Sequence, residues 1–447
     1  AYDQARTHSW IPTGNNNGCD VLGSENSTRL PYGNRTGTGL SRGYDGRTRR
    51  SAGICTEHVG HINTASKENA MYIKFEKGLG SSAVKRLTPV LRNHEAMPEL
   101  SGILLETNPD GFSVTAVARN ELFSAEIQFP ALVLKPGSTV LNGSLLNKIL
   151  ELFGEGFVEM RTVGQENTLL ACGRTEYTLA TRPAKKYPRP QFPQVETACR
   201  IAALPHLLRC CLFAVGHDPQ RPAYSRVKID AQGTTLTLAA SDTFGLAVAG
   251  TQSDIISPIH ILIPSESAQY LAYAFSDKEN VHIGTAAGEA VFQVEGFRVC
   301  CILGRESYMD VPSLLRTFQP ESVALVKPKD MSKGLSTLSS LSSANCPVQI
   351  QICQGYIALD GKAMYANGKT KCPAQATTPV MKANYYLLSP LSKALARFGE
   401  GQIQLSVAPN GMLRMQNNTM LFLLTPTRPI DITVRAKTDK KGRKAAA

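Results

Sequence analysis

Apolar side chains recur at helical spacing in three well-separated stretches. Residues 144–160, SLLNKILELFGEGFVEM, place Leu146, Leu150 and Phe153 at i, i+4 and i+7, which is one face of a helix. Residues 389–405, SPLSKALARFGEGQIQL, repeat the pattern with Leu391, Leu395 and Phe398. Both stretches stop at Gly-Glu-Gly, where glycine accepts a left-handed C-cap. Both then alternate apolar and polar positions, as a half-buried strand does. A worn third copy, SAQYLAYAFSDKENVHI at 267–283, carries Ala268, Ala272 and Phe275. The anchors Phe153, Phe275 and Phe398 stand roughly 122 residues apart.

Solenoid repeats run ~20–50 residues and single domains ~100–150, so this period predicts three similar domains in series. Other landmarks keep the step. Val114-Thr-Ala-Val-Ala-Arg-Asn120 matches Leu236-Thr-Leu-Ala-Ala-Ser-Asp242, and Tyr187-Pro188 matches Tyr308-Met-Asp-Val-Pro312 at the close of a unit. The units are placed at 71–192, 193–316 and 317–434. In the first, strands are predicted at 72–75, 101–107, 112–118, 121–127, 131–135, 157–162, 167–172 and 175–181, with helices at 81–92 and over the opening motif. Pro89 is expected to kink or end the earlier helix. The second predicts helices at 204–214 and 265–276, and the third at 328–342 and 384–398, with strands between. Strands follow one another without strict helical alternation, which implies an α+β fold with antiparallel sheets and helices on one face.

Composition alters this picture mainly at the two ends. Residues 1–70 are rich in Gly, Asn, Ser, Thr and Arg and hold no lasting periodicity. They bury too little apolar surface to offset ordering entropy, and are read as a disordered or non-native extension ahead of Met71. Residues 435–447 form a basic tail. Of the net charge of +12, the repeated body holds only a modest positive share, compatible with a polyanionic partner. No apolar run approaches the ~20 residues that span a bilayer, and no signal peptide opens the chain. The compartment expected is the cytoplasm, with no membrane partner.

Catalytic and metal signatures are weak. The chain has eleven cysteines but no CxxC, and the adjacent pairs Cys210-Cys211 and Cys300-Cys301 cannot easily converge on one zinc. They read as small buried hydrophobes in a reducing compartment. Cys55, His58 and His61 have only loose ligand-like spacing, and Gly37-Thr-Gly39 neither follows a strand nor opens a helix. His206 and His217 flank a helix beside Asp218, without a nucleophile at recognisable spacing. No nucleophile elbow, HExxH or phosphate-binding loop is present. The expectation is no enzyme, no metal and no cofactor.

Phe213-Ala-Val215, Arg221-Pro222, Leu236-Thr-Leu-Ala-Ala-Ser-Asp242 and Leu246-Ala-Val248, together with the ending Leu423-Leu-Thr-Pro426-Thr-Arg428, resemble the bacterial DNA polymerase III beta sliding clamp family. The resemblance covers about 71–430 and rests on motif order and the threefold period. It implies three tandem clamp domains and a ring of two head-to-tail chains. Such a ring encircles duplex DNA without sequence preference and tethers the replicative DNA polymerase for processive synthesis. A closed ring holds DNA topologically, so weak phosphate contacts suffice. On this reading the DNA-facing candidates are Lys85, Arg86, Arg92, Lys148, Arg209, Lys333, Lys393 and Arg397. An ordinary solvated helix face is the competing explanation.

The resemblance also implies a homodimer interface, here Tyr177 and Leu179 facing outward on an edge strand against Leu335, Leu338 and Leu341 of the other copy. It further implies a pocket for short peptide motifs of DNA polymerase and clamp-loader subunits. That pocket carries over to Tyr224, Ser241, Thr243, Phe244, Gly245, Leu246, Pro264, Ala268, Leu423, Thr425, Pro426, Thr427 and Arg428. This chain departs from the family pattern. Thr243-Phe244-Gly245 stands where Gly-His-Arg is common, the chain runs on past Arg428, and its body is slightly basic. The alternatives left open are a non-ring interaction scaffold and a plasmid- or phage-type clamp paralogue.

Overall fold

The computed structural model describes residues 71–92, 97–164, 166–339, 346–362, 367–378 and 383–429. The extension 1–70, the tail 435–447 and Leu341 lie outside these residues. So do Cys55, His58, His61 and the Gly37-Thr-Gly39 cluster.

The alternating stretches form two large sheets, one of fourteen strands and one of twelve. The architecture is α+β. Seven α-helices occur among the described residues: α1 (Lys77–Leu87), α2 (Gly143–Leu152), α3 (Leu204–Leu212), α4 (Ser265–Ala274), α5 (Val311–Thr317), α6 (Pro328–Ser339) and α7 (Leu388–Leu395). The helical apolar stripes face the core as their spacing requires. Leu146, Leu150, Leu391, Leu395, Phe153 and Phe398 are all buried. The Asn142 side chain caps α2 by accepting the Leu145 N–H at 2.9 Å, which satisfies one otherwise orphaned donor.

The sheets do not respect the boundaries of the sequence repeats. Strand Phe297–Ile302 pairs antiparallel with Phe123–Pro130. Strand Gly245–Gln252 pairs antiparallel with Met420–Leu424. The middle third of the chain thus contributes strands to both sheets, and each joint is continuous backbone hydrogen bonding. Side chains reinforce the first joint. Tyr270 of α4 stacks on Phe123 at 4.8 Å and donates its hydroxyl to the Arg86 carbonyl of α1 at 3.0 Å.

Several elements differ from the sequence expectation. Helix α1 starts four residues earlier and its α-turns end at Leu87, with Thr88–Val90 tightening into a 3-10 turn. Pro89 lacks the N–H that would continue the ladder. The two glycines in α1 also obscured its start. Gly80 is needed there, since a Cβ would sit 2.2 Å from the Phe75 ring. Residues 384–387, expected as the first turn of a helix, form a strand paired with Pro347–Ile350. The aromatic pair Tyr385-Tyr386 favours the pleated surface, and Tyr386 is fully buried with its hydroxyl on the Gly411 carbonyl at 2.7 Å. The twelve-residue strand Asn367–Thr378 was not anticipated. Only Cys372 along it is buried, so it carries almost no apolar signal. The short elements Ser138–Asn142, Cys199–Ala202, α5 and Ser322–Val326 were also absent from the prediction.

Leu150 is fully buried beside other core side chains. Leu150→Ala is expected to lower unfolding free energy by about 2–5 kcal/mol, through lost transfer energy and a residual cavity. Urea unfolding followed by circular dichroism measures it.

Candidate functional site

Two surfaces gather the sequence-predicted residues. The first is a row of helices. α1 packs on α2, α3 on α4 and α6 on α7, and α1 also touches α4. Arg397, two residues past α7, lies close enough to α3 to act on Cys210, whose thiol is pushed up to about 11 by burial and pulled back by Arg397 and Arg209. The helices therefore follow one another as α2, α1, α4, α3, α7, α6.

The cations on this row divide into two groups. Arg86 pairs with Glu279 at 3.1 Å, Arg92 with Glu266 and Arg209 with Asp277. The pairs Arg86–Glu279 and Arg92–Glu266 reach across the first joint, from the α1 region to α4 and the turn after it. These three arginines are thus charge-compensated, and part of their chemistry is tying elements together. Lys85, Lys148, Lys333, Lys393 and Arg397 are exposed. None has a carboxylate within ion-pair distance among the described residues. Lys148 and Lys393 occupy the same position in two copies of the repeat, one residue before an inward-facing side chain.

The second surface is a cleft at the joint between Gly245–Gln252 and Met420–Leu424. Its lining includes Ser241, Thr243, Phe244, Gly245, Leu246, Leu423 and Thr425, as the sequence predicted, and it encloses about 50 Å³. A strained turn shapes the rim. Thr243 has φ +77°, which a β-branched residue rarely adopts. Hydrogen bonds hold it there. Ser241 Oγ accepts the Thr243 N–H at 3.0 Å, and Asp242 Oδ1 accepts the N–H groups of Phe244 and Gly245 at 2.9 and 2.7 Å. The turn leaves the Phe244 ring 64% exposed. Thr425 donates its backbone N–H to the Phe244 carbonyl at 2.9 Å. Behind the cleft, Leu246 and Leu423 belong to a separate small core with Val248, Val311, Phe318 and Leu421.

The remaining expected pocket residues fall elsewhere. Pro264 closes strand Ile259–Pro264, paired with Arg226, and Ala268 is fully buried on the inward face of α4. Neither lines the cleft. Tyr224 does not line the cleft but lies beside it, with its ring 5.5 Å from Tyr308. Pro426 and Thr427 run on toward strand Asn384–Leu387, where the Thr427 N–H bonds to the Tyr385 carbonyl at 2.7 Å, and Arg428 is exposed beyond them. The walls that sequence reasoning missed are Met309, Leu314, Met412 and Leu424. Met309 and Leu314 arrive with α5. Its start was legible in Asp310 followed by Val-Pro, an N-cap with proline in the first turn, and Asp310 Oδ1 does accept the Ser313 N–H at 3.1 Å.

The expected dimer-interface side chains that lie among the described residues point inward. Leu179 is buried, and the Tyr177 ring packs 5.6 Å from Phe153. Leu335 and Leu338 are buried where α6 lies on strands Tyr356–Lys362 and Asn367–Thr378. The odd-numbered positions of strand Thr175–Arg182 face the core, so Glu176, Thr178 and Ala180 are its outward side chains. The backbone edge is what stays open. On one side the strand pairs fully with Asn167–Cys172, and on the other it meets Ser138–Asn142 only at Thr181 and Arg182. The Thr181 N–H bonds to Glu166. Antiparallel alternation therefore turns the backbone groups of Glu176, Thr178 and Ala180 toward the open edge.

Among the described residues no cluster of His, Cys, Asp or Glu could hold a metal ion, and no helix is long and apolar enough to cross a membrane. Two domain models of one family match this chain in succession. They are the DNA polymerase III beta subunit N-terminal domain over residues 79–191 and its central domain over 201–308. The chain belongs to the DNA polymerase III beta subunit family. It is 26% identical over 305 residues to the beta sliding clamp of Streptomyces coelicolor, covering 65% of this chain and 78% of that one. It is 24% identical over 311 residues to the beta sliding clamp of Micrococcus luteus, covering 68% of this chain and 99% of that one. The crystal structure of the DNA polymerase sliding clamp from Bacillus subtilis superposes with a TM-score of 0.74 at 21% identity, covering 81% of this chain and all of that one.

Proposed function

We propose that this chain is a replication sliding clamp. Residues 71–192, 193–316 and 317–434 act as three clamp domains, and two copies close head to tail into a ring around duplex DNA. The ring tethers the replicative DNA polymerase and does no catalysis of its own. The observation that carries this reading is the row of helices with exposed, uncompensated lysines at repeat-equivalent positions, Lys148 and Lys393, in a chain of the beta subunit family. Sparse positive charge suits a ring that must slide, because each phosphate contact can be weak and sequence-blind. The open backbone edge at Glu176–Ala180 supports closure by strand addition from the third domain of the other copy. A head-to-tail contact of this kind must close, or it grows into filaments.

The cleft at Leu246 and Leu423 supports the partner side of this function. Apolar walls with a few hydrogen-bonding groups at the rim suit a short peptide from a polymerase or loader subunit. At about 50 Å³ it admits only the tip of one apolar side chain as it stands, with the exposed Phe244 at its rim available to cover a bound peptide. Phe244 and Gly245 offer no charged donor at that rim, so the peptides that bind are selected on apolar side chains.

Three outcomes check this reading. Thr178→Pro removes an outward N–H from the open edge while leaving the inward core side chains in place. Sedimentation is expected to show a dimer for the parent and a monomer for the variant, and the parent alone should stay on circular DNA and run off after linearisation. A monomeric parent at micromolar concentration would refute the ring. Neutralising Lys148 and Lys393 together should reduce the log–log salt slope of DNA binding by about 0.9 for each phosphate no longer neutralised, with base preference unchanged. A peptide rich in Gln, Leu and Phe is expected to bind with micromolar affinity in titration calorimetry. Leu246→Asp should weaken that binding severely, and deleting 435–447 should not abolish it.

A further inference from the structure

The cleft beside Leu246 has a counterpart one repeat earlier, at the other joint. Cys301 pairs with Phe123 there as Leu424 pairs with Gly245. The Ile302 N–H donates to the Leu122 carbonyl at 3.0 Å, as the Thr425 N–H donates to Phe244. Asn120 Oδ1 accepts the N–H groups of Leu122 and Phe123 at 2.9 and 3.0 Å, the role that Asp242 plays in the later turn. The same strand pairing and the same side-chain-capped turn therefore build both depressions, although Thr243 has a positive φ and its counterpart Glu121 does not. The earlier one is much roomier, about 410 Å³.

Its chemistry has diverged. At the repeat positions of Ser241, Leu246 and Leu423 stand Arg119, Ser124 and Cys300. Arg119 is half-buried and donates Nη1 to the Pro188 carbonyl at 3.0 Å. It has no carboxylate within ion-pair distance among the described residues. Arg189 enters from the connecting segment and is held at the rim by Glu106 at 2.8 Å. Glu289 accepts the Cys300 thiol at 3.4 Å. Burial, then the nearby Glu289 carboxylate, pushes that thiol up to about 12, so Cys300 is wall and not nucleophile. Ile302, 48% exposed, supplies an apolar flank next to the buried Phe123 ring.

We propose that this second cleft binds an acidic linear peptide from a partner protein, with one carboxylate on the Arg119 guanidinium and an apolar side chain against Ile302. A half-buried guanidinium whose charge is unanswered matches a single carboxylate in a two-pronged, charge-assisted pair. A nucleic-acid strand fits poorly. It brings a phosphate at every nucleotide, whereas Glu289 faces the same space and Arg189 is already engaged. The volume lies in the range of ligand sites, ~300–1,000 Å³. With two clefts of different chemistry, one clamp subunit takes two kinds of partner segment at once.

The test uses the full chain carrying Leu246→Asp, which closes the first cleft. A fluorescein-labelled leucine-rich peptide carrying a single aspartate is titrated by anisotropy beside the same peptide with lysine in place of the aspartate. The acidic peptide is expected to bind and the basic one not. Arg119→Ala should weaken binding about tenfold or more, the scale of a broken charge-assisted pair. Arg119 also anchors Pro188, so Ile302→Trp gives a second arm. It fills the cleft from an exposed position, leaves that hydrogen bond intact, and should weaken binding comparably. Equal binding of both peptides, unchanged affinity in both variants, or displacement of the acidic peptide by single-stranded DNA would overturn the proposal. Because the first cleft is closed throughout, failure of a Gln/Leu/Phe peptide to bind beside Leu246 in the parent leaves this result intact.

Discussion

Antiparallel backbone pairing across two joints is the constraint on which the rest of the structure depends. Phe297–Ile302 zips to Phe123–Pro130, and Gly245–Gln252 zips to Met420–Leu424. A ladder of main-chain hydrogen bonds allows little independent hinge motion, because opening it would expose paired donors and acceptors together. The helix row inherits its order from these joints. Tyr270 reaches Phe123 and the Arg86 carbonyl only because the first joint brings α4 against α1. A protein that must present a regular charged surface benefits from such rigidity, since the spacing of its cations is then set by strands and not by linkers.

The joints also explain where binding sites arise. Each places a turn capped by Asn120 or Asp242 beside the end of a strand from the neighbouring repeat, so a depression forms as a by-product of strand pairing. What lines it is free to diverge, because the backbone carries the structural load. One depression became a small apolar cleft walled by Leu246, Leu423 and α5. The other became a larger one with Arg119 and Glu289. The strain at Thr243 is consistent with this division. A positive φ on a β-branched residue costs of order 1–3 kcal/mol, and three hydrogen bonds around it hold Phe244 at the rim.

Electrostatics on the helix row follows the same economy of roles. Arg86, Arg92 and Arg209 have carboxylate partners and serve partly as ties. The planar guanidinium suits that task, while lysine is a compact, strongly hydrated point charge that retains its freedom in solvent. The residues left uncompensated are mostly lysines: Lys85, Lys148, Lys333 and Lys393, with Arg397. Partly exposed ion pairs add little stability individually, so their main effect here is on which charges remain available to a partner.

Local spacing was enough to read the α+β class, most helices and most strands. The i, i+4, i+7 stripes ending at Phe153, Phe275 and Phe398 mark buried helix faces wherever they occur, because a helix has no other way to bury them. Ser241, Leu246 and Leu423 were named together only through the family resemblance, and the structure brings them to one cleft. Other features depended on contacts between distant segments. Strand Asn367–Thr378 is held by neighbours on both sides and not by its own apolar pattern. Met309 and Leu314 wall the cleft only because α5 lies across the second joint. Tyr177, Leu179, Leu335 and Leu338 looked like surface anchors, yet strand and helix register turns them inward. Spacing alone says which residues share a face. Only tertiary packing decides whether that face meets solvent, a core, or another strand.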